Sequence, residues 1–222
     1  MKKFLTIAAA LLCTAAFAQN PSTTWPYLYD DFTLGTIYLV GGSKSDVQMN
    51  VHVRRDKLHF IDKELVKEAD LSGVNLITIG PDKYIPVDGE VRKIVAESAN
   101  GYVLASITGD FAAVQETGGA YGASSAASAT RKLSSMDFDT QVGQNHIILL
   151  KNKTDGTELR LITTYYLFFA DGSCVKATRK DIEDYLPEAS ASAWKSWLKS
   201  AKPKWKSPQS LVSVLDFLAT QK

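Results

Sequence analysis

A chain of 222 residues with 45% hydrophobic residues has the material for one large folded domain or two small ones. Its 25 basic and 24 acidic residues give a formal net charge of +1. That balance excludes a dedicated nucleic-acid binder, which needs a net basic face to displace phosphate counterions.

The chain opens as an export leader. Lys2 and Lys3 supply a positive start, Phe4 to Ala16 is a run of apolar or small residues, and Ala16-Phe17-Ala18 offers the small residues a signal peptidase reads. Cleavage is expected after Ala18, so residues 1–18 are a signal peptide and 19–34 an N-terminal extension. The run is shorter than the about 20 residues a membrane-spanning helix needs, and no later stretch approaches that length. No transmembrane segment is expected after signal cleavage; the mature protein is expected to be exported: periplasmic, cell-surface or secreted. Cys13 sits mid-run behind Leu12, a poor setting for a lipid anchor. With Cys174 then the lone cysteine, an internal disulfide is excluded in a protein that meets oxidising conditions. Cys174 is expected to be buried and unreactive within its strand.

From Gly35 to about Ile107 the pattern is strand after strand. Thr36–Val40 runs into Gly41-Gly42. In Val47–Val53, Val47, Met49, Val51 and Val53 alternate with polar neighbours as a half-buried strand requires. Leu58–Ile61 alternates in the same way, whereas Asp62–Asp70 reads equally as a short helix or a strand. Val74–Ile79 ends at Gly80-Pro81-Asp82, Lys83–Val87 at Asp88-Gly89, and Val91–Glu97 at Asn100-Gly101, with Tyr102–Ile107 closing the series. These turn sequences supply the positive φ that tight hairpins demand.

Residues 118–130 are glycine, alanine and serine around one aromatic, Tyr121, too little apolar bulk for a core. A flexible loop is expected there. With Arg131 and Lys132 just beyond, Tyr121 is the best placed side chain for a recognition surface, because tyrosine offers large contact area for two torsions. Strands are expected to resume at His146–Lys151 and Glu158–Phe169, joined through Asp155-Gly156, and a turn at Asp171-Gly172 leads to Cys174–Ala177.

The period then changes from two to three or four. Thr178 with Asp181 forms a capping pair before Ile182, Tyr185 and Leu186, and Pro187 stops that helix. Trp194, Trp197 and Leu198 line a second helix ending before Pro203. Ser207-Pro208 opens a third, with Leu211, Val212, Leu215 and Leu218 as its buried stripe. Strands followed by helices predict an α+β fold: an antiparallel β-sheet or barrel-like β body over 35–177, then a C-terminal helical cap of about three short helices over 178–222.

The chemistry-bearing residues do not assemble into a known catalytic pattern. No G-x-S-x-G is present, and the two S-x-x-K matches, Ser192/Lys195 and Ser196/Lys199, interleave on one helix that its tryptophans already explain. His52, His59 and His146 lack the short spacing of zinc ligands. His52 and His59 have the spacing to meet across a hairpin, but their parity places them opposite the apolar face, as surface or rim residues. Asp30-Asp31 and Glu183-Asp184 are adjacent carboxylates, which point in different directions rather than across a cleft. Gly41-Gly42 and Gly118-Gly119 lack the lysine of a phosphate loop, so no nucleotide cofactor is expected. The segment Lys195–Lys206 carries five lysines, no acids, and Trp197 and Trp205. That mixture suits anionic lipid, lipopolysaccharide or polysaccharide, although lysines coating helices whose tryptophans face the sheet would look the same.

The strand series Gly35–Ser106, the GGAYG at Gly118–Gly122 and the ending YYLFFADGSCVKATRKDIEDYLPE resemble a group of uncharacterised exported proteins of Bacteroidetes-type bacteria. The resemblance spans most of the mature chain and implies no activity. The sequence therefore predicts a non-enzymatic, ligand- or partner-binding envelope or secreted protein, with an envelope protein or polysaccharide as partner. The alternative is a hydrolase acting on an envelope polymer with an unrecognised site near the 118–130 loop.

Overall fold

The computed structural model describes residues 22–111, 141–154 and 158–221. These form mostly antiparallel β-sheet that curls into a half-barrel, with helices late in the chain. The strands are β1 (Ser22–Thr23), β2 (Thr33–Leu39), β3 (Lys44–His52), β4 (Lys57–Asp62), β5 (Leu65–Glu68), β6 (Val74–Ile79), β7 (Asp82–Val87), β8 (Glu90–Ser98) and β9 (Gly101–Gly109). After α1 (His146–Lys151) come β10 (Leu159–Phe169) and β11 (Cys174–Lys176). The helices α2 (Arg179–Tyr185), α3 (Ala191–Ala201) and α4 (Pro208–Ala219) follow, with a 3-10 turn at Glu188–Ser190 ahead of α3.

The sheet order is β1-β10-β9-β8-β7-β6-β2-β3-β4-β5, with β11 beside β10. Most neighbours are consecutive hairpins, which is why local turn chemistry sets so much of the fold. At the β7–β8 turn Asp88 (φ 55) and Gly89 (φ 76) both adopt the left-handed conformation of a type I′ turn. Gly101 opens β9 at φ +143, where a Cβ would stand 2.0 Å from the Phe168 carbonyl oxygen. Only glycine lets β9 approach β10 that closely.

The curl comes from the β3–β4 turn reaching back to the ends of β8 and β9. Val91 N–H donates to the Asp56 carbonyl at 2.8 Å, and Gly109 N–H to the Val53 carbonyl at 2.8 Å. Asp56 takes positive φ to make the contact (47°). Inside the curl Met49, Val51, Leu58, Ile77, Ile79, Tyr84 and Val91 are each at most 2% exposed. A second core lies where the helices pack on the sheet: Leu211, Val214, Leu215 and Leu218 of α4, Trp194 of α3 and Ile182 of α2 close over Val103, Leu167 and Phe169. Each such large apolar side chain contributes about 1.5–3 kcal/mol by leaving water. The caps are local: Thr178 Oγ1 accepts from Asp181 N–H at 3.2 Å, and Ser207 Oγ from Ser210 N–H at 3.4 Å with Pro208 at the first helical position.

Two sequence expectations change here and one open reading is settled. Residues 146–151 are helix, not strand: Asn145 Oδ1 accepts from Ile147 N–H at 2.9 Å, and Leu149 and Leu150 pack against the Trp25, Tyr27 and Val66 cluster. Four consecutive apolar residues carry no period, so the asparagine cap was the usable signal. The undecided stretch Asp62–Asp70 contains strand β5, paired with β4 from Leu65↔Asp62 to Glu68↔His59. Cys174 is half-buried rather than buried. The expected leader, the 118–130 loop and the Asp155-Gly156 turn lie outside the described residues.

Candidate functional site

Strand alternation divides the sheet between the helix-covered face and its opposite. On β9 and β10, Val103, Leu167 and Phe169 point to the helices, so Tyr102, Leu104, Tyr166 and Phe168 point away. Pairing aligns these into rows: Ile94↔Leu104↔Tyr166↔Lys176, and Glu97↔Tyr102↔Phe168↔Cys174. Leu104 is fully buried at the centre with Ile85 and Val87, while Ile94, Tyr102, Tyr166 and Phe168 surround them half-buried. Tyr102 and Phe168 stack at 6.5 Å between centroids, 24° apart.

Arg92 sits among these aromatics. Its guanidinium carbon lies 3.9 Å above the Tyr166 ring centroid, Nη1 donates to Cys174 Sγ at 3.2 Å, and Nη2 to Glu90 Oε2 at 3.4 Å. The residue is 6% exposed, and among the described residues its Nε has no hydrogen-bond partner. Burial pushes the Cys174 thiol up, and the guanidinium beside it works in the opposite direction. The thiol is therefore held protonated and a poor nucleophile. The arrangement presents half-buried aromatic faces fixed around a buried guanidinium, and aromatic residues are concentrated where proteins bind partners.

The histidines that parity placed at the surface are buried. His52 and His59 are each 3% exposed and stack at 4.9 Å, 30° apart. Tyr27 Oη lies 2.9 Å from His59 Nδ1, and Glu68 Oε2 3.9 Å from His59 Nε2. Burial drives His52 down to about 3, helped by the neighbouring His59, while a hydrogen bond to the buried Gln141 side chain opposes it. Burial likewise takes His59 down to about 4, against the pull of Glu68. Trp25, Tyr27 and α1 cover this face, so both faces of β3 are buried at its end. Among the described residues no group of three or more histidine, cysteine or acidic side chains is placed to hold a metal. His146 is half-buried, its Nδ1 3.0 Å from the Glu64 carbonyl oxygen at the start of α1.

Among the described residues Asp56 is the one buried carboxylate, and the sequence did not flag it. Ser106 Oγ donates to Asp56 Oδ2, and the Ile107 amide donates to the same carboxyl group. Burial raises it to about 6. The carboxyl satisfies donors at the splayed end of β8 and β9, and at 2% exposure it meets no substrate. A groove of about 390 Å³ between Lys57, Glu68, Asp70, Ser72 and Asp88 has its lysine engaged by the Gly89 carbonyl at 2.8 Å and by Glu68 at 3.6 Å. The expected recognition residues Tyr121, Arg131 and Lys132 lie outside the described residues. Comparisons with protein-family models, curated proteins and solved structures return no match.

Proposed function

We propose that this chain is an exported envelope or secreted protein that works without catalysis, binding a ligand or partner through the sheet face of β8 to β11 opposite the helices. The observation that carries this reading is the half-exposed ring of Tyr102, Tyr166, Phe168 and Ile94 around buried Leu104, with Arg92 stacked at 3.9 Å on Tyr166. Rigid aromatics around a desolvated centre lose little side-chain entropy on binding and contribute most of an interface's energy. The export part rests on the leader, Lys2-Lys3 followed by the apolar run and Ala16-Phe17-Ala18. Tyr121, with Arg131 and Lys132, is the second recognition element, on the strength of the sequence. An envelope protein or polysaccharide is the partner class that aromatic faces with a guanidinium fit.

A hydrolase would need an accessible carboxyl or nucleophile, and Asp56, the described carboxyl with raised proton affinity, serves the strand ends instead. The test is capture from envelope extracts with the Tyr102→Ala/Phe168→Ala double variant beside Tyr121→Ala. Loss of capture in the double variant, with a cooperative melt retained, supports the sheet face. Capture at wild-type strength by the double variant removes it.

A further inference from the structure

Basic residues are concentrated on the far side of the molecule from the aromatic sheet face. From Ala189 to Leu215 the chain has five lysines, Lys195, Lys199, Lys202, Lys204 and Lys206, and no acid, although the whole chain is nearly neutral at +1. All five are exposed. Lys195 and Lys199 are four residues apart on α3, and Lys202 at its C-cap continues the stripe over about 10 Å of helix axis. Lys202 turns the chain at φ 44, and the following loop presents Lys204 and Lys206. The loop is braced rather than loose: Lys204 N–H donates to Ser210 Oγ at 2.8 Å and Ser207 N–H to the Lys204 carbonyl at 3.0 Å.

Asp184 and Glu188 precede the segment on α2 and in the turn before α3, and two further flanking acids have partners. Glu183 pairs with Arg179 at 2.8 Å and meets only Lys195 of the five, while Asp216 accepts from Asn100 Nδ2 at 2.9 Å. Trp197 and Trp205 alternate with the lysines, half-buried against the helical core. Trp197 is fixed by stacking on Phe217 at 4.9 Å and on Trp194 at 5.4 Å.

We infer that this lysine-rich surface of α3 and the 202–206 loop docks the protein on a bilayer rich in anionic phospholipid. Three features select a membrane. The cations are all lysine, point charges on flexible stems that suit a diffuse negative field, with none of the planar forks that read a particular anion. They spread over a helix and a braced loop, whereas two grooves of the protein lie on the β body, at Pro81–Lys83 with Ile94–Glu97 and around Lys57 and Glu68. Half-buried tryptophans between lysines match the headgroup level, where an apolar ring and a polar edge are both accommodated. The apolar side of α3 is committed to the core through Trp194, so docking is electrostatic and leaves the helix outside the hydrocarbon.

Sedimentation with vesicles of phosphatidylcholine alone or with 30 mol% phosphatidylglycerol tests this. Each lysine near an anionic surface contributes about fivefold in partitioning, equivalent to about 1 kcal/mol. The protein should partition on the anionic vesicles and release at 0.5 M salt, where screening shortens the field to a few ångströms. Lys199→Gln/Lys206→Gln should weaken partitioning about 30-fold, and the charge-matched control Lys44→Gln/Lys151→Gln, at exposed lysines outside both surfaces, should leave it unchanged. Equal binding to both vesicle types, equal loss in the control, or retention on an anionic polysaccharide resin without vesicle binding would overturn the inference. The capture test on the opposite face is unaffected by any of these outcomes.

Discussion

Acidification from pH 7 to pH 5 should destabilise the protein, and the buried imidazole pair should account for most of the loss. In the unfolded chain both histidines titrate near 6.5, whereas in the fold His52 is held at about 3 and His59 at about 4. The unfolded state therefore takes up protons first, and stability falls as pH drops through 6.5 toward the folded values. Over this window each histidine costs about 2 kcal/mol, about 4 for the pair. Asp56 opposes them. Its folded value of about 6 lies above the usual carboxyl range, so the folded state gains a proton first and recovers about 1 kcal/mol by pH 5. The net loss is about 2–3 kcal/mol, or a fall of about 5–10 °C in Tm for a chain of this size. Thermal melts by circular dichroism at pH 7, 6 and 5 measure it. His52→Phe keeps an aromatic in the stack and removes one titrating group, so its Tm should move by less than half as much across the same range. A flat Tm in the parent chain, or an unchanged slope in His52→Phe, would refute the reasoning.

Trp194→Ala should cost about 3–5 kcal/mol in urea titrations, because a ring 1% exposed, stacked on Trp197 and tilted against Phe217, leaves a cavity the helices cannot close. A cost under about 1 kcal/mol would show the helical core to be loosely packed. Gly101→Ala should destabilise by more than about 2 kcal/mol, since its Cβ meets the Phe168 carbonyl; Gly42→Ala, with nothing within 4 Å, should cost about 1 from its positive φ alone. Equal melts for the two variants would contradict the close β9–β10 approach. Cys174 should react with a thiol reagent far more slowly in the native protein than in urea, because burial keeps it protonated, and Arg92→Met should slow it further.

The strand series was legible because its turns are written locally. Gly80-Pro81-Asp82, Asp88-Gly89 and Asn100-Gly101 end β6, β7 and β8 within a residue or two of where they stop. The buried histidines were not legible, because alternation assumes one wet face. The last four residues of β3, Met49 to His52, are buried on both sides. The second cover comes from Trp25, Tyr27 and Phe32 and from α1, elements read respectively as an extension and a strand. Asn50, 0% exposed, anchors that cover by donating to the Tyr29 and Asp31 carbonyls at 2.8 and 3.0 Å. A run of four aromatics in Trp25–Phe32 was the available signal, since so much apolar area does not stay in water. The aromatic sheet face was half legible: Glu158–Phe169 reads as a strand, but its run Tyr165–Phe169 is apolar on both parities, so which parity the helices cover depends on tertiary packing. Asp56 could not have been found, because its burial follows from the curl that carries the β3–β4 turn to β8 and β9.

Hydroxyl-radical footprinting read by mass spectrometry, on the protein alone and after incubation with envelope extract, tests the binding account most directly. If the sheet face of β8 to β11 engages a partner, oxidation of Tyr102, Tyr166 and Phe168 should fall together in the presence of extract, while Tyr38 on β2, 37% exposed, stays as reactive as before. Unchanged labelling of all three, with protection appearing elsewhere on the chain, would contradict it.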